Sequence, residues 1–230
     1  MLAMQTDRHR DADAAGGALA APMTRRLGCV EYAPTLQAMK DFTRKRTSAT
    51  PDELWLLEHP PVYTLGQGAD PAHGPDYSAH DQAAQIPVLR VDRGGEVTYH
   101  GPGQAVLYAL VDLARRSIQV REFVRMLEQG VIDVLAAHGI RAERRSGAPG
   151  VYVAGAKVAA LGLRVSRGRC YHGVALNVEC DLAPFAAIDP CGFAGLCVTS
   201  TRELGIRADA AALGGELVAR ISAMLGRARA

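Results

Sequence analysis

Between residues 53 and 177 short apolar segments follow one another with very little chain between them. ELWLLE (53–58) is separated from VYTL (62–65) by three residues that include Pro60 and Pro61, and GVYV (150–153) from KVAALGLRV (157–165) by three more. Further strand-like segments lie at 88–91, 106–113 and 171–177. Parallel neighbours need a crossover of about a dozen residues or more, usually a helix. These gaps are too short for that, so most of the pairing has to be antiparallel. Helical periodicity is confined to three places. Leu36, Met39 and Phe42 follow Pro34, with Arg44, Lys45 and Arg46 in the last turn. Residues 120–137 carry one apolar stripe, Val120, Phe123, Val124, Leu127, Val131, Val134 and Leu135, and Gly139 supplies the stop. The stretch from about Asp209 repeats Leu213, Leu217, Ile221 and Leu225, weakened by Gly214 and Gly215. The expected class is α+β, a mixed and mainly antiparallel sheet flanked by helices that cover one face.

The composition supports a real core, with 48% hydrophobic and 22% charged residues in 230. A net charge of +2 and 5% aromatics give no case for nucleic acid or an anionic membrane as the main partner. Residues 1–26 show no apolar period and are expected to form a disordered extension, with a single domain over 27–230. The N-terminus has no apolar signal core, and no run reaches the roughly 18 residues needed to span a bilayer. The cytoplasm is the expected compartment. Five cysteines cannot all pair within one chain, and none forms a Cys-x-x-Cys.

Three places could carry chemistry. Residues 93–104, RGGEVTYHGPGQ, hold four glycines and a proline. They match neither the Walker phosphate loop nor a G-x-G-x-x-G that opens a helix. They read as a Gly-rich hairpin or as a segment whose backbone closely approaches a ligand. The 66–87 stretch, rich in Gly, Pro, Asp and His, is a long loop of the kind that is functional or mobile. Lys157 begins an apolar strand. Strict alternation puts it on one face with Ala159, Leu161, Leu163 and Val165, where it either curls out to solvent or is desolvated and chemically useful. Cys191 lies between Pro190 and Gly192, on a turn, whereas Cys29, Cys170 and Cys180 lie in or beside apolar runs and read as core. Cys197 is its nearest rival. His100 and His172, each beside a glycine, could orient a thiol in a Cys/His hydrolase or simply bind backbone carbonyls.

RGGEVTYHGPGQAVLYALVDL, GVYVAGAKVAALGLRV, YHGVALNVECDL and IDPCGFAG, in this order and at these intervals, strongly resemble the lipoyl(octanoyl) transferases, and ELWLLEHPPVYTLG is similar to that family's first strands. The resemblance covers roughly 27–205. It implies a fold like the catalytic domain of biotin/lipoate protein ligases. It also implies transfer of an octanoyl or lipoyl group from acyl carrier protein, through a cysteine thioester, to a lysine of a lipoyl domain. The acceptors would be the 2-oxoacid dehydrogenase acyltransferase subunits and the glycine cleavage H protein. By the same resemblance Cys191 is the acyl-accepting cysteine and Lys157 the lysine that activates it. Arg93, Gly94, Gly95, Glu96, Val97, Thr98, Tyr99 and His100 form one substrate-binding segment. Ala160, Leu161 and Gly162, with Gly173, Val174 and Ala175, form two substrate-lining triplets. No cofactor, metal, nucleic acid or membrane is implied. The alternative activity is an ATP-dependent lipoate or biotin protein ligase, which has no need of Cys191.

Overall fold

Seven strands form the main sheet of the protein. In the computed structural model, residues 20–69, 75, 85–188 and 196–227 are described. Its strands are β1 (Met23–Cys29), β2 (Glu53–Glu58), β6 (Gln104–Leu110), β7 (Glu143–Arg144), β8 (Gly150–Val153), β9 (Ala156–Ser166) and β10 (Arg169–Asn177). The spatial order is β1-β2-β6-β10-β9-β8-β7, and every pair is antiparallel except β1 with β2. A second sheet of three strands sets β3 (Val62–Leu65) between β4 (Val88–Arg90) and β5 (Val97–His100). The mixed, mainly antiparallel arrangement is the one that the short gaps require.

Helices cover both faces, not one. α2 (Val120–Ala137) and α3 (Ala210–Arg227) lie on one side of the main sheet. Phe123, Leu127, Val131, Val134 and Leu135 of α2 are fully buried against Leu54, Leu107, Val158, Leu176, Leu213 and Leu217. Each such side chain contributes about 1.5–3 kcal/mol relative to exposure. α1 (Tyr32–Lys45) covers the other side, where Met39 packs with Trp55, Val106, Tyr108 and Ala175. Its stripe of apolar residues is narrow, so periodicity alone did not give it a face of its own. Gly214 does more than weaken α3. A Cβ there would lie 2.5 Å from Leu56 Cδ1, so its absence lets the helix settle closely on β2.

Two strands depart from the sequence expectation. β1 includes Met23–Arg26, residues expected to lie in the extension, so the ordered domain starts earlier than residue 27. Its side chains are mostly exposed, because it is an edge strand held through its main chain to β2 and through Arg25, which donates to Glu53. Cys29, at its end, is exposed for the same reason and is not a core cysteine. The rest of the expected extension, residues 1–19, lies outside the described residues. β5 falls inside the Gly-rich segment and pairs antiparallel with β3, so that segment is part strand.

Asp52, just before β2, is a fully buried charge. It accepts hydrogen bonds from Arg46 (2.5 Å), Arg116 Nε (2.5 Å), Arg115 (2.7 Å) and the Asp112 amide (2.8 Å). Burial opposes its charge, but the amide and the arginines prevail and hold its pKa below the ordinary carboxylate value. Arg116 also donates to the Leu225 and Ala20 carbonyls, so this carboxylate ties β2 to the ends of the described chain.

Asp52→Asn is expected to destabilise the fold by about 3–5 kcal/mol, since it strands buried guanidinium groups. Chemical denaturation measures this. A carboxyl with a lowered folded pKa contributes stability above its unfolded value of about 3.9 and loses it as pH falls through the lower folded value. The acid limb of the stability curve should therefore be flatter in the variant. Gly173→Ala should cost more than Gly214→Ala in the same assay. A Cβ at Gly173 would lie 2.0 Å from the Leu107 carbonyl oxygen, which is backbone in a central strand and cannot swing aside.

Candidate active site

A narrow cavity of about 40 Å³ lies between the Gly-rich segment and strands β9 and β10. Its walls include Arg93, Gly95, Glu96, Val97, Thr98 and His100 from the first predicted segment. Both predicted triplets, Ala160-Leu161-Gly162 and Gly173-Val174-Ala175, line it as well. Register explains the meeting of the triplets, because Ala160 pairs with Ala175, Leu161 with Val174 and Gly162 with Gly173. Gly94 and Tyr99 do not border it. The Gly94 amide donates to the Leu163 carbonyl at 2.9 Å, and Gly94 faces a neighbouring hollow of about 370 Å³ that shares Gly95, Glu96, Leu161 and Gly162 with the cavity. Tyr99 turns into the core of the small sheet, edge-on to Phe185.

Arg93 organises the segment that it begins. Its guanidinium is buried and donates to the Thr64 carbonyl (2.6 Å), the Thr64 hydroxyl (2.8 Å) and the Gly94 carbonyl (3.0 Å). That clamps the glycines onto β3. Gly66 is needed opposite them, since a Cβ there would lie 2.2 Å from the Gly95 oxygen.

The cavity opens where Gly95 and Glu96 are accessible and ends on buried polar rings. These are Tyr32, Tyr108 and His172, none named in the predicted substrate set, together with His100. His59 stands behind them. Its Nδ1–H donates to the Val30 carbonyl at 2.6 Å, so its Nε2 accepts from the Tyr108 hydroxyl at 2.7 Å. Burial lowers His59 to about 4 and, with His59 beside it, lowers His100 to about 3, so both rings are neutral at neutral pH. His172 has φ of +63°, a left-handed backbone that a non-glycine residue rarely takes. Neighbours in a strand ordinarily point to opposite faces. Here the rings of Tyr171 and His172 stack at 5.1 Å, on one side. Both donate to Asp92, from Tyr171 Oη at 2.6 Å and His172 Nε2 at 3.0 Å. No local sequence signal marks Tyr32 or Tyr108. They come from α1 and β6 and meet the cavity only through the tertiary fold.

Lys157 is 2% exposed, so its side chain does not curl out to solvent. β9 pairs Ala159 with Val151 but Lys157 with Tyr152, which leaves Val158 as an extra residue. This bulge breaks the strict alternation expected from the sequence and re-aims the lysine. Its Nζ donates to the Pro149 carbonyl at 3.2 Å and lies 5.3 Å from the Tyr152 ring centroid. The Lys157 amide donates to the Cys197 carbonyl (2.8 Å), and the Thr199 amide donates back to the Lys157 carbonyl (3.0 Å).

Cys191 lies outside the described residues. The other cysteines are chemically distinguishable. Cys170 and Cys180 are buried, and desolvation raises both thiols, Cys180 to about 12, so neither is an available thiolate. Cys29 is exposed, but slight burial and the Glu58 carboxylate still raise its pKa. Cys197 is exposed.

With this geometry the family relationship is direct. The profile of the lipoyl protein ligase A/B catalytic domain matches residues 31–214. An octanoyltransferase of Dechloromonas aromatica is 60% identical over 185 residues, 80% of this chain and 87% of that protein. An octanoyltransferase of Aromatoleum aromaticum is 55% identical over 203 residues, 88% of this chain and 85% of its own length. Among solved structures, a lipoate-protein ligase A bound with ATP aligns with a TM-score of 0.70 at 14% identity, over 90% of this chain and 85% of that one. A biotin protein ligase from Aquifex aeolicus in complex with biotin and ATP aligns at 0.57 and 14% identity, over 88% of this chain and 70% of that one. At such identity the structural likeness speaks to fold alone. The chain belongs to the lipoyl protein ligase A/B catalytic-domain family, among its octanoyltransferases, which are acyltransferases.

Proposed function

We propose that this chain moves an octanoyl group from acyl carrier protein to a lysine of a lipoyl domain, with Cys191 as the transient acyl carrier and Lys157 as its activating partner. The burial of Lys157 on a bulged strand carries this reading. Its backbone is hydrogen-bonded to Cys197, six residues after Cys191 in the chain. A six-residue separation is compatible with a thiol beside the lysine. A free thiol has a pKa of about 8.5 and is mostly protonated at neutral pH. A lysine ammonium beside it favours the thiolate.

The thiolate attacks the octanoyl thioester carbonyl. The new carbon–sulfur bond forms, the bond to the carrier sulfur breaks, and the leaving carrier thiolate takes a proton from the Lys157 ammonium, which is left neutral. One thioester replaces another, so the step is close to balanced. The neutral acceptor amine attacks the enzyme thioester, its nitrogen loses one proton to the now neutral Lys157 or to water, and the Cys191 thiolate is expelled. The product amide is more stable than the thioester, which makes the second step the downhill one and needs no ATP. The cavity together with the adjoining hollow of about 370 Å³ would take the acyl chain, since each buried methylene is worth about 0.8 kcal/mol. From Ala175 to His172 is three strand steps, roughly 10 Å, comparable to an extended eight-carbon chain. Support for lipoyl domains as acceptors comes from the octanoyltransferase relatives and from a solved neighbour, a bipartite lipoate protein ligase studied with its E2 lipoyl domain, and the H protein is proposed as a second acceptor. The cytoplasm is the proposed compartment.

Incubation with octanoyl-carrier protein, without acceptor or ATP, should add one octanoyl group by intact mass. Hydroxylamine should remove it, and Cys191→Ser should lack a hydroxylamine-labile adduct. A labile adduct that persists in the mutant would assign the nucleophile to another cysteine, and strict ATP dependence would favour the ligase alternative. Lys157→Ala should slow acylation by roughly 100-fold or more, in the range of acid–base effects. Stopped acylation time courses would measure it, and an unchanged rate would remove Lys157 from the mechanism.

A further inference from the structure

Glu128 stands in the middle of α2, on the face that otherwise carries Phe123, Leu127, Val131 and Leu135. It is 5% exposed. A carboxylate so placed costs free energy unless each oxygen has a partner. One oxygen accepts from the Gly150 amide at 3.1 Å, and the other pairs with Arg144 Nε at 3.1 Å. Arg144 is itself held by the Arg125 carbonyl and the Gln129 side chain.

The amide that Glu128 takes belongs to the Pro149–Gly150 peptide unit. The carbonyl of that same unit accepts from Lys157 Nζ at 3.2 Å. One rigid peptide plane therefore has the carboxylate on its N–H end and the lysine on its C=O end. A bond to the carboxylate polarises the plane and makes its oxygen a better acceptor for an ammonium. The segment is pinned at a third point, since Tyr152 Oη donates to the Ala148 carbonyl at 3.0 Å. Only glycine fits at the centre. Gly150 has φ of +145°, and a Cβ there would lie 2.8 Å from both Lys157 Cε and the Ala159 oxygen.

We infer that Glu128 is a positioning residue for Lys157, acting through the Pro149–Gly150 peptide to fix where the ammonium sits. The inference rests on the role proposed above for Lys157. Helix packing alone does not require a carboxylate here, because an apolar side chain of similar volume would fill the same space and lose only the partner of the Gly150 amide and of Arg144. The distinction is therefore testable with near-isosteric variants. Glutamine keeps an acceptor for the Gly150 amide, and methionine keeps only the volume.

Single-turnover acylation by octanoyl-carrier protein, followed by intact mass on the full chain, reads the effect. Glu128→Met is expected to slow acylation at saturating donor by roughly 10- to 100-fold, the cost of a misplacement near 1 Å. The half-saturating donor concentration should stay within about twofold, because donor binding is untouched. Glu128→Gln should recover most of the rate. In a Lys157→Ala background Glu128→Met should cost nothing more, since two residues acting as one unit are not additive. Glu128→Met with full activity, beside an impaired Lys157→Ala, would overturn this inference alone. So would a loss that multiplies with that of Lys157→Ala. Full activity in Lys157→Ala would overturn the proposed role of the lysine, and this inference with it. The methionine variant leaves the Gly150 amide unpaired and should melt somewhat below the parent, so circular dichroism that shows it folded at the assay temperature separates a lost position from a lost fold.

Discussion

The buried side-chain amide of Gln104 is the joint on which the rest of the site hangs. It is 1% exposed and stands at the start of β6. Its oxygen accepts from His100 Nδ1 at 2.7 Å, and its nitrogen donates to the Asn177 side chain (2.9 Å) and the Tyr99 carbonyl (3.3 Å). Asn177 in turn donates to the Thr199 carbonyl, and the Thr199 amide donates to the Lys157 carbonyl. A line of hydrogen bonds thus runs from the Gly-rich segment, across the end of the main sheet, to the backbone of Lys157. An amide buried this deeply would cost about 1–3 kcal/mol for each group left unpaired. Here both ends are paired, so the same burial that makes failure expensive makes the arrangement specific.

That line also explains why His100 works as a neutral ring. Gln104 can only accept at Oε1, so His100 carries its proton on Nδ1, and burial keeps a second proton off. His59 is settled in the same way by the Val30 carbonyl. The inner end of the cavity is therefore polar but uncharged on these two rings. The charges beside it are already engaged, Arg93 by Thr64 and the Gly94 carbonyl and Asp92 by Tyr171, His172 and Lys40. Hydrogen-bonding to His172 and Tyr171 keeps that carboxyl well below the usual range in spite of burial. A cavity end built this way can be desolvated by an apolar chain without stranding an ion.

Much of this was legible in the chain. The spans of β2, β3, β8 and α2 follow directly from apolar runs and one helical stripe, because those elements are buried on patterns that hydrophobicity reports. β1 was not legible, since an edge strand with exposed side chains leaves no apolar signature. β5 was hidden by its glycine-rich surroundings. The predicted substrate triplets do face one cavity, because both sit on paired strands and a pairing register carries one along with the other. Tyr32, Tyr108 and Glu128 could not be found that way. Each lies among core-facing residues of its element, and its contacts appear only when a distant segment is laid against it.

The bulge at Val158 shows where pattern reasoning and chemistry part company. Strict alternation would put Lys157 with Ala159 and Leu161 on one face. One extra residue breaks that alternation, and the lysine is left over Tyr152 and against the Pro149 carbonyl, beside a glycine that nothing larger can replace. The sheet around the bulge is a fold that aligns with ATP-bound and biotin-bound ligases at 14% identity. A shared scaffold at that distance does not decide the reaction. What distinguishes one chemistry from another on such a scaffold has to reside in a few local departures from regularity. In this chain such departures include the bulge before Ala159, beside Lys157, and the left-handed backbone at His172 and Gly95, both on the cavity wall.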